Sequence, residues 1–211
     1  MYLVKTPPVI QSLFPDFIWK IDTHRKEVFL TFDDGPIPEL TDWILDTLHS
    51  YDFKATFFCV GENVKKHPEI YQRILANGHA VGNHTYNHLK GWTTDTETYI
   101  NNIKKCDEWV RTDLFRPPYG KLKPSQSSAL KMTKSIIMWD VLSGDFDLSI
   151  TKEKCLSNVM NNYSAGSIIV FHDNIKAEEK LKFVLPRFLD HLAECGYRSE
   201  SLEYALAEMA I

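Results

Sequence analysis

Val28-Phe29-Leu30-Thr31-Phe32 runs straight into Asp33-Asp34-Gly35-Pro36. The first five residues are apolar, aromatic or β-branched, and the glycine-proline pair behind the acids is turn chemistry. The stretch therefore reads as a buried strand that ends in an acidic turn. Two adjacent carboxylates without a partner repel, and one takes up a proton unless a cation relieves the pair. A divalent ion bound by one of them leaves the other free to accept a proton from water. Alone, D-D-G-P is as readily an Asx turn capping the next helix, so the rest of the chain has to decide.

Outward from this stretch, short apolar runs alternate with helical patterns. Strands are expected at 28–32, 55–60, 80–81, 114–115, 135–139, 167–171 and 197–198. Helices are expected at 40–51, 68–77, 95–112, 151–163, 181–195 and 201–209. Repeated βα alternation implies a parallel sheet with helices outside. Asp33-Asp34, His84, Arg116, Asp145 and His172 each fall just beyond an expected strand. Side chains from that many strands meet when the strand ends ring a common mouth, which is barrel geometry. An open sheet gathers ligands from the few strands at a switch point. The expected fold is α/β, a distorted, TIM-barrel-like (β/α) barrel of about seven parallel strands with outer helices. Residues 1–26, with anchors Phe14, Phe17 and Trp19, read as an irregular lead-in packed on one catalytic domain spanning 27–211.

The 211 residues suffice for one domain with a full core. A net charge of -4 without a basic block argues against nucleic acid or an anionic membrane as partner. The four cysteines form no C-x-x-C pair, which speaks against a disulfide framework or a thiolate zinc site and for reduced, mostly buried thiols. Prolines, Gln11 and Asp16 break the apolar run at the N-terminus, unlike an export signal. No segment approaches the roughly 20 apolar residues of a membrane helix. A cytoplasmic location is expected.

Other clusters supply chemistry. His84-Thr85-Tyr86-Asn87-His88 places two imidazoles at i and i+4, which share a face on a helical turn and could reach one ion together with Asp34. Arg116-Pro117-Pro118-Tyr119-Gly120 is a stiff loop whose arginine could orient a catalytic carboxylate through bidentate bonds and whose Tyr119 amide could stabilise an oxyanion. His172 ends the most apolar strand, where it could serve as general acid. Trp92, Tyr119 and Phe146 could stack on sugar rings, with Asp145 among the substrate-binding groups. Lys176 is either an anion-facing group or a solvated loop lysine.

Taken together, T-F-D-D-G-P, H-x-x-x-H, R-P-P-Y-G, W-x-V-x-x-x-D and V-F-H-D occur in the order of the polysaccharide deacetylase family, the NodB-homology domain of carbohydrate esterase family 4. The resemblance covers roughly residues 27–200. It implies a NodB-type barrel and metal-dependent removal of acetyl groups from carbohydrates, N-acetyl amino sugars before O-acetyl esters. By motif position, Asp33 resembles the general base, and Asp34, His84 and His88 the metal ligands. Arg116 resembles the residue that orients Asp33, Tyr119 the oxyanion donor and His172 the general acid. The implied cofactor is one divalent ion, zinc first, with cobalt or another able to substitute. The implied partner is a carbohydrate or glycoconjugate. The family's D-x-x-D-W segment aligns here with Leu142-Ser143-Gly144-Asp145-Phe146, so the carboxylate that tunes the acid histidine is replaced by Leu142 and the tryptophan by Phe146. Asp140 or Asp145 could take over that carboxylate's part. Two alternatives follow: a catalytically impaired carbohydrate-binding domain, or a hydrolase of another non-peptide C–N bond.

Overall fold

The structure is a computed structural model that describes residues 2–209. Its strands are β1 (Phe17–Ile18), β2 (Glu27–Asp33), β3 (Ala55–Cys59), β4 (Ala80–Asn83), β5 (Leu114–Phe115), β6 (Ser135–Ile137), β7 (Val141–Leu142), β8 (Ile168–His172) and β9 (Arg198–Ser199). The α-helices are α1 (Pro8–Leu13), α2 (Leu40–His49), α3 (Gly61–Lys66), α4 (Pro68–Ala76), α5 (Thr96–Asp107), α6 (Pro124–Leu130), α7 (Lys152–Met160), α8 (Glu178–Glu194) and α9 (Leu202–Met209). No helix among the described residues is long and apolar enough to cross a membrane.

All pairings between these strands are parallel, in the order β1-β6-β5-β4-β3-β2-β8-β7, with β9 added to the start of β2. The path does not close, because β1 pairs with β6 and β7 with β8 but not with each other. The sheet is thus a distorted, incompletely closed barrel. Along the open flank the chain before β1 runs antiparallel to β7, with Lys5 bridged to Val141. That contact covers an edge whose N–H and C=O groups would otherwise lack partners.

Alternation along β2 separates two environments, as the period of a strand requires. Val28, Leu30 and Phe32 pack outward among Ile44, Leu48, Leu185 and Phe188 of α2 and α8. Phe29 packs inward with Phe58, Leu114, Ile137 and Ile168 over α9 residues Leu202 and Ala205. Thr31 and Asp33 follow Phe29 on the inner face, so polarity rises toward the C-terminal mouth. Several helix ends carry their own signals. The Asp95 and Thr151 side chains accept the Thr98 and Lys154 amides at the starts of α5 and α7. Gly78 and Gly196, both at positive φ, follow α4 and α8.

The alternating pattern matches expectation in its main strands and helices. Expected boundaries run long at 95–112, where α5 stops at Asp107 and a turn buries Val110 instead, and at 135–139, where β6 stops at Ile137. The two-residue strands β1 and β7 and the helices α1, α3 and α6 are absent from the sequence reading. The lead-in is not irregular throughout, since it supplies α1 and a strand of the sheet.

Candidate active site

Register assembles the mouth. Asp33, the last residue of β2, lies opposite Phe58 on one side and His172 on the other. Asn83 lies opposite Cys59 and Phe115. His84 and Arg116, the next residues, therefore leave the sheet at the same level. Asp33, His84 and His172 border a cleft of about 750 Å³ together with Tyr2, Tyr119, Trp139, Leu142 and Phe146, and Arg116 lies buried beneath it.

Arg116 is wholly buried, and each of its three side-chain nitrogens donates to a partner. Nη1 donates to Asp33 Oδ1 at 2.7 Å and to Thr31 Oγ1 at 2.7 Å. Nη2 donates to the Met138 carbonyl at 3.0 Å and Nε to the Ile137 carbonyl at 3.3 Å. Its guanidinium lies 4.0 Å from the centroid of the Phe58 ring. The expected bidentate clamp is therefore a single bond to Asp33, because the neighbouring donors are spent on Thr31 and on two carbonyls. Burial pulls the Arg116 pKa below its usual value, while Asp33 opposes that shift.

Asp34, His84 and His88 face one another, with one ligand atom from each within 4.8 Å of the others. The histidines do not share a helical turn as expected. Residues 84–88 form a loop in which Thr85 and His88 both take positive φ, and Asp34 does the same at the end of β2. Such backbone is costly for residues other than glycine and collects at functional sites. His84 Nδ1 lies 2.8 Å from the Arg116 carbonyl, which can only accept, so Nδ1 carries the proton and Nε2 presents a lone pair. That lone pair and His88 Nε2 lie 3.5 Å and 3.1 Å from Asp34 Oδ1. Oδ1 is buried without a hydrogen-bond donor, so distance but not bond geometry is met. Lone pairs converging on an orphaned carboxylate oxygen fit a divalent cation. Oδ2 accepts from Asn174 Nδ2 at 2.5 Å, which turns Oδ1 toward the histidines.

Across the cleft, His172 is fixed twice by Asp145. Its backbone N–H donates to Oδ2 at 2.7 Å, and its Nδ1 to Oδ1 at 2.8 Å. Burial alone lowers the His172 pKa, but the charge and hydrogen bond of Asp145, helped by Asp34 and Asp33, raise it to about 9. This corrects the place given to Asp145, which is fully buried beneath the histidine and is not a substrate contact. It also accounts for Leu142, which borders the cleft while Asp145 supplies the carboxylate. Asp140 is occupied elsewhere, accepting from Lys5, Ser167 Oγ and the Ile168 amide. Trp92, expected to stack on sugar, is exposed in a 3₁₀ turn and does not border the cleft. Tyr119 and Phe146 do border it, against the His88 and His172 rings at 4.8 Å and 4.9 Å. Lys176 borders it too.

Sequence reasoning missed Tyr2, Thr31, Thr41, Asn174 and the place of Asp173. Asp173 is buried and accepts from Thr41 Oγ1 at 2.5 Å, and burial pushes its pKa up to about 8. A Cβ on Gly35 would lie 2.1 Å from Asp173 Oδ2, so the acidic turn and this carboxyl need a glycine between them. Only the position of Asp173 behind His172 hinted at it; nothing in the sequence marks Tyr2.

The mouth of a parallel β/α barrel, with an arginine-held carboxylate, a metal-type triad and a carboxylate-backed histidine, defines a hydrolase-class site. The family model described as polysaccharide deacetylase matches residues 20–135. A peptidoglycan-N-acetylglucosamine deacetylase of Bacillus cereus is 32% identical over 197 residues, covering 88% of this chain and 92% of that one. The peptidoglycan-N-acetylmuramic acid deacetylase PdaC of Bacillus subtilis is 35% identical over 159 residues, 72% of this chain but 33% of its own length. The crystal structure of a peptidoglycan N-acetylglucosamine deacetylase in complex with a naphthalenyl N-hydroxybenzamide superposes with a TM-score of 0.85 at 31% identity. That match covers 95% of this chain and 96% of the other. The chain belongs to the polysaccharide deacetylase family.

Proposed function

We propose that the protein is a carbohydrate deacetylase that depends on a divalent metal and hydrolyses the N-acetyl group of an amino sugar in a glycan. One observation carries the reading: Asp33, held by Arg116, and His172, held by Asp145, face the same cleft as the Asp34, His84 and His88 triad. A base and an acid poised around one reacting carbon are what amide hydrolysis needs. The names of the relatives, which specify peptidoglycan amino sugars, support an N-acetyl substrate over an O-acetyl ester.

Asp34, His84 and His88 would hold the ion, zinc by donor type, whose charge acidifies water and polarises the acetyl carbonyl. Asp33 takes the proton of the attacking water, while Arg116 fixes the direction of its carboxylate. The amide of Tyr119, a cleft residue at positive φ, would stabilise the oxygen on which charge develops. His172 passes a proton from Nε2 to the departing nitrogen while Nδ1 stays bonded to Asp145. The amine leaves on the sugar, and acetate is the second product. A binding-only role loses its main support, because Asp145 meets the need left by Leu142.

The test is acetate release by zinc- or cobalt-loaded protein from N-acetylated and O-acetylated saccharides, with His84→Ala as the blank. Release that disappears in the blank is expected. Protein with demonstrably bound metal and no release from any saccharide refutes the reading.

A further inference from the structure

The segment before α1 forms a strap on the open flank of the barrel, and the strap delivers an aromatic ring to the cleft. Three backbone contacts fix its course along β7. The Leu142 N–H donates to the Val4 carbonyl at 2.8 Å, the Thr6 N–H donates to the Asp140 carbonyl at 2.9 Å, and Lys5 bridges Val141. Lys5 Nζ adds bonds of 2.7 Å to the buried Asp140 carboxylate and 2.7 Å to the Asn162 carbonyl. An antiparallel strap advances toward the C-terminal end of β7 as its own numbering falls, so Tyr2 emerges at the mouth.

There Tyr2 is held at both ends. Its ring lies 5.2 Å from the Phe146 ring at 56°, and its hydroxyl donates to Asp147 Oδ2 at 3.0 Å. Gly144 makes room, since a Cβ there would lie 2.6 Å from the Tyr2 hydroxyl. The rings form a series leading away from the proton donor: His172, then Phe146 at 4.9 Å, then Tyr2. Tyr2 borders the cleft and is only partly buried, so part of its ring is open to a ligand.

We propose that Tyr2 and Phe146 form an aromatic platform for the sugar unit adjoining the one that is deacetylated. This rests on the carbohydrate reading above and deepens it. A pyranose presents apolar C–H bonds on one face, which pack on the electron-rich face of an aromatic ring. A ring already fixed by a hydrogen bond and a packed neighbour loses little freedom on binding. Tyr2 stands one ring further from His172 than Phe146 does, so it meets the neighbouring unit rather than the reacting amide. It determines specificity for oligosaccharides and takes no part in the bond-breaking steps.

The experiment is steady-state acetate release from an N-acetylated β-1,4-glucosamine trisaccharide by zinc-loaded wild type, Tyr2→Ala and Tyr2→Phe. Loss of one stacked ring should raise KM about three- to tenfold in Tyr2→Ala, with kcat within about twofold of wild type. Tyr2→Phe keeps the ring and should stay near the wild-type KM. A Tyr2→Ala variant that lowers kcat at constant KM overturns the proposal, because Tyr2 would then act through Phe146 on His172. Unchanged constants overturn it too, as does a KM in Tyr2→Phe as high as in Tyr2→Ala, which would assign the effect to the bond with Asp147. In each of these cases wild-type turnover leaves the deacetylase reading standing. Wild type that releases no acetate from any saccharide brings down that reading and this one with it.

Discussion

Replacing Asp145 by asparagine tests the electrostatic design of the site most directly. Asp145 is fully buried and bonds His172 through both oxygens, at 2.7 Å and 2.8 Å. A hydrogen bond between an imidazolium and a carboxylate contributes about 1.5–3 kcal/mol. One pKa unit corresponds to about 1.4 kcal/mol. Asp145→Asn should therefore bring the His172 pKa down from about 9 to between about 7 and 8. The asparagine cannot accept at both positions, because its amide would face either the backbone N–H or the protonated Nδ1. A stability loss of about 1–3 kcal/mol accompanies the change. Linkage adds a second readout. In the folded chain the His172 pKa lies above its ordinary 6.5, so its contribution to stability is complete below 6.5 and is lost as pH rises through about 9. Wild type should lose on the order of 3 kcal/mol over that window, and Asp145→Asn markedly less. The assays are a ¹⁵N-histidine NMR titration of metal-free protein and urea unfolding at the two ends of the window. A His172 that still titrates near 9 in Asp145→Asn would refute the assignment of Asp145 as its partner.

Three further outcomes follow from the same geometry. Asp33→Asn should lower kcat by about 10²–10⁴ while zinc still binds, as measured by calorimetry; near-wild-type turnover removes Asp33 as the base. Leu142→Asp, which recreates the family carboxylate, should not restore or improve activity, because Asp145 already bonds His172 and the new charge enters a site that is 6% exposed. A raised kcat without loss of thermal stability would contradict this. Gly35→Ala sets a methyl against Asp173 Oδ2 and should cost about 1–3 kcal/mol with a parallel fall in kcat. Adding Asp173→Ala should return part of the stability, and unfolding midpoints that are simply additive would count against the contact.

Much of the site was legible because its residues sit at strand ends. In a parallel barrel those positions converge whatever the loops do, so Asp33, Asp34, His84, Arg116 and His172 could be gathered from one rule. The parts read wrongly depended on backbone path. His84 and His88 meet through a loop with two positive-φ residues, where their spacing suggested a helical turn. Trp92 and Phe146 looked alike as aromatics, yet one is exposed outside the cleft and the other packs on His172. The strands β1 and β7 have two residues each, too few for any periodicity to register.

By itself the sequence determined the alternation of strands and helices, and with it the parallel sheet and the end of the sheet at which chemistry gathers. Period and turn chemistry are local and can be read along the chain. Only the tertiary structure decided that the barrel stays open between β1 and β7, that Asp145 stands in for the carboxylate missing at Leu142, and that Tyr2 reaches the cleft. Those facts join residues far apart in sequence, such as Tyr2 with Asp147 and Asp145 with His172. Their contacts depend on packing and register, which no local pattern encodes.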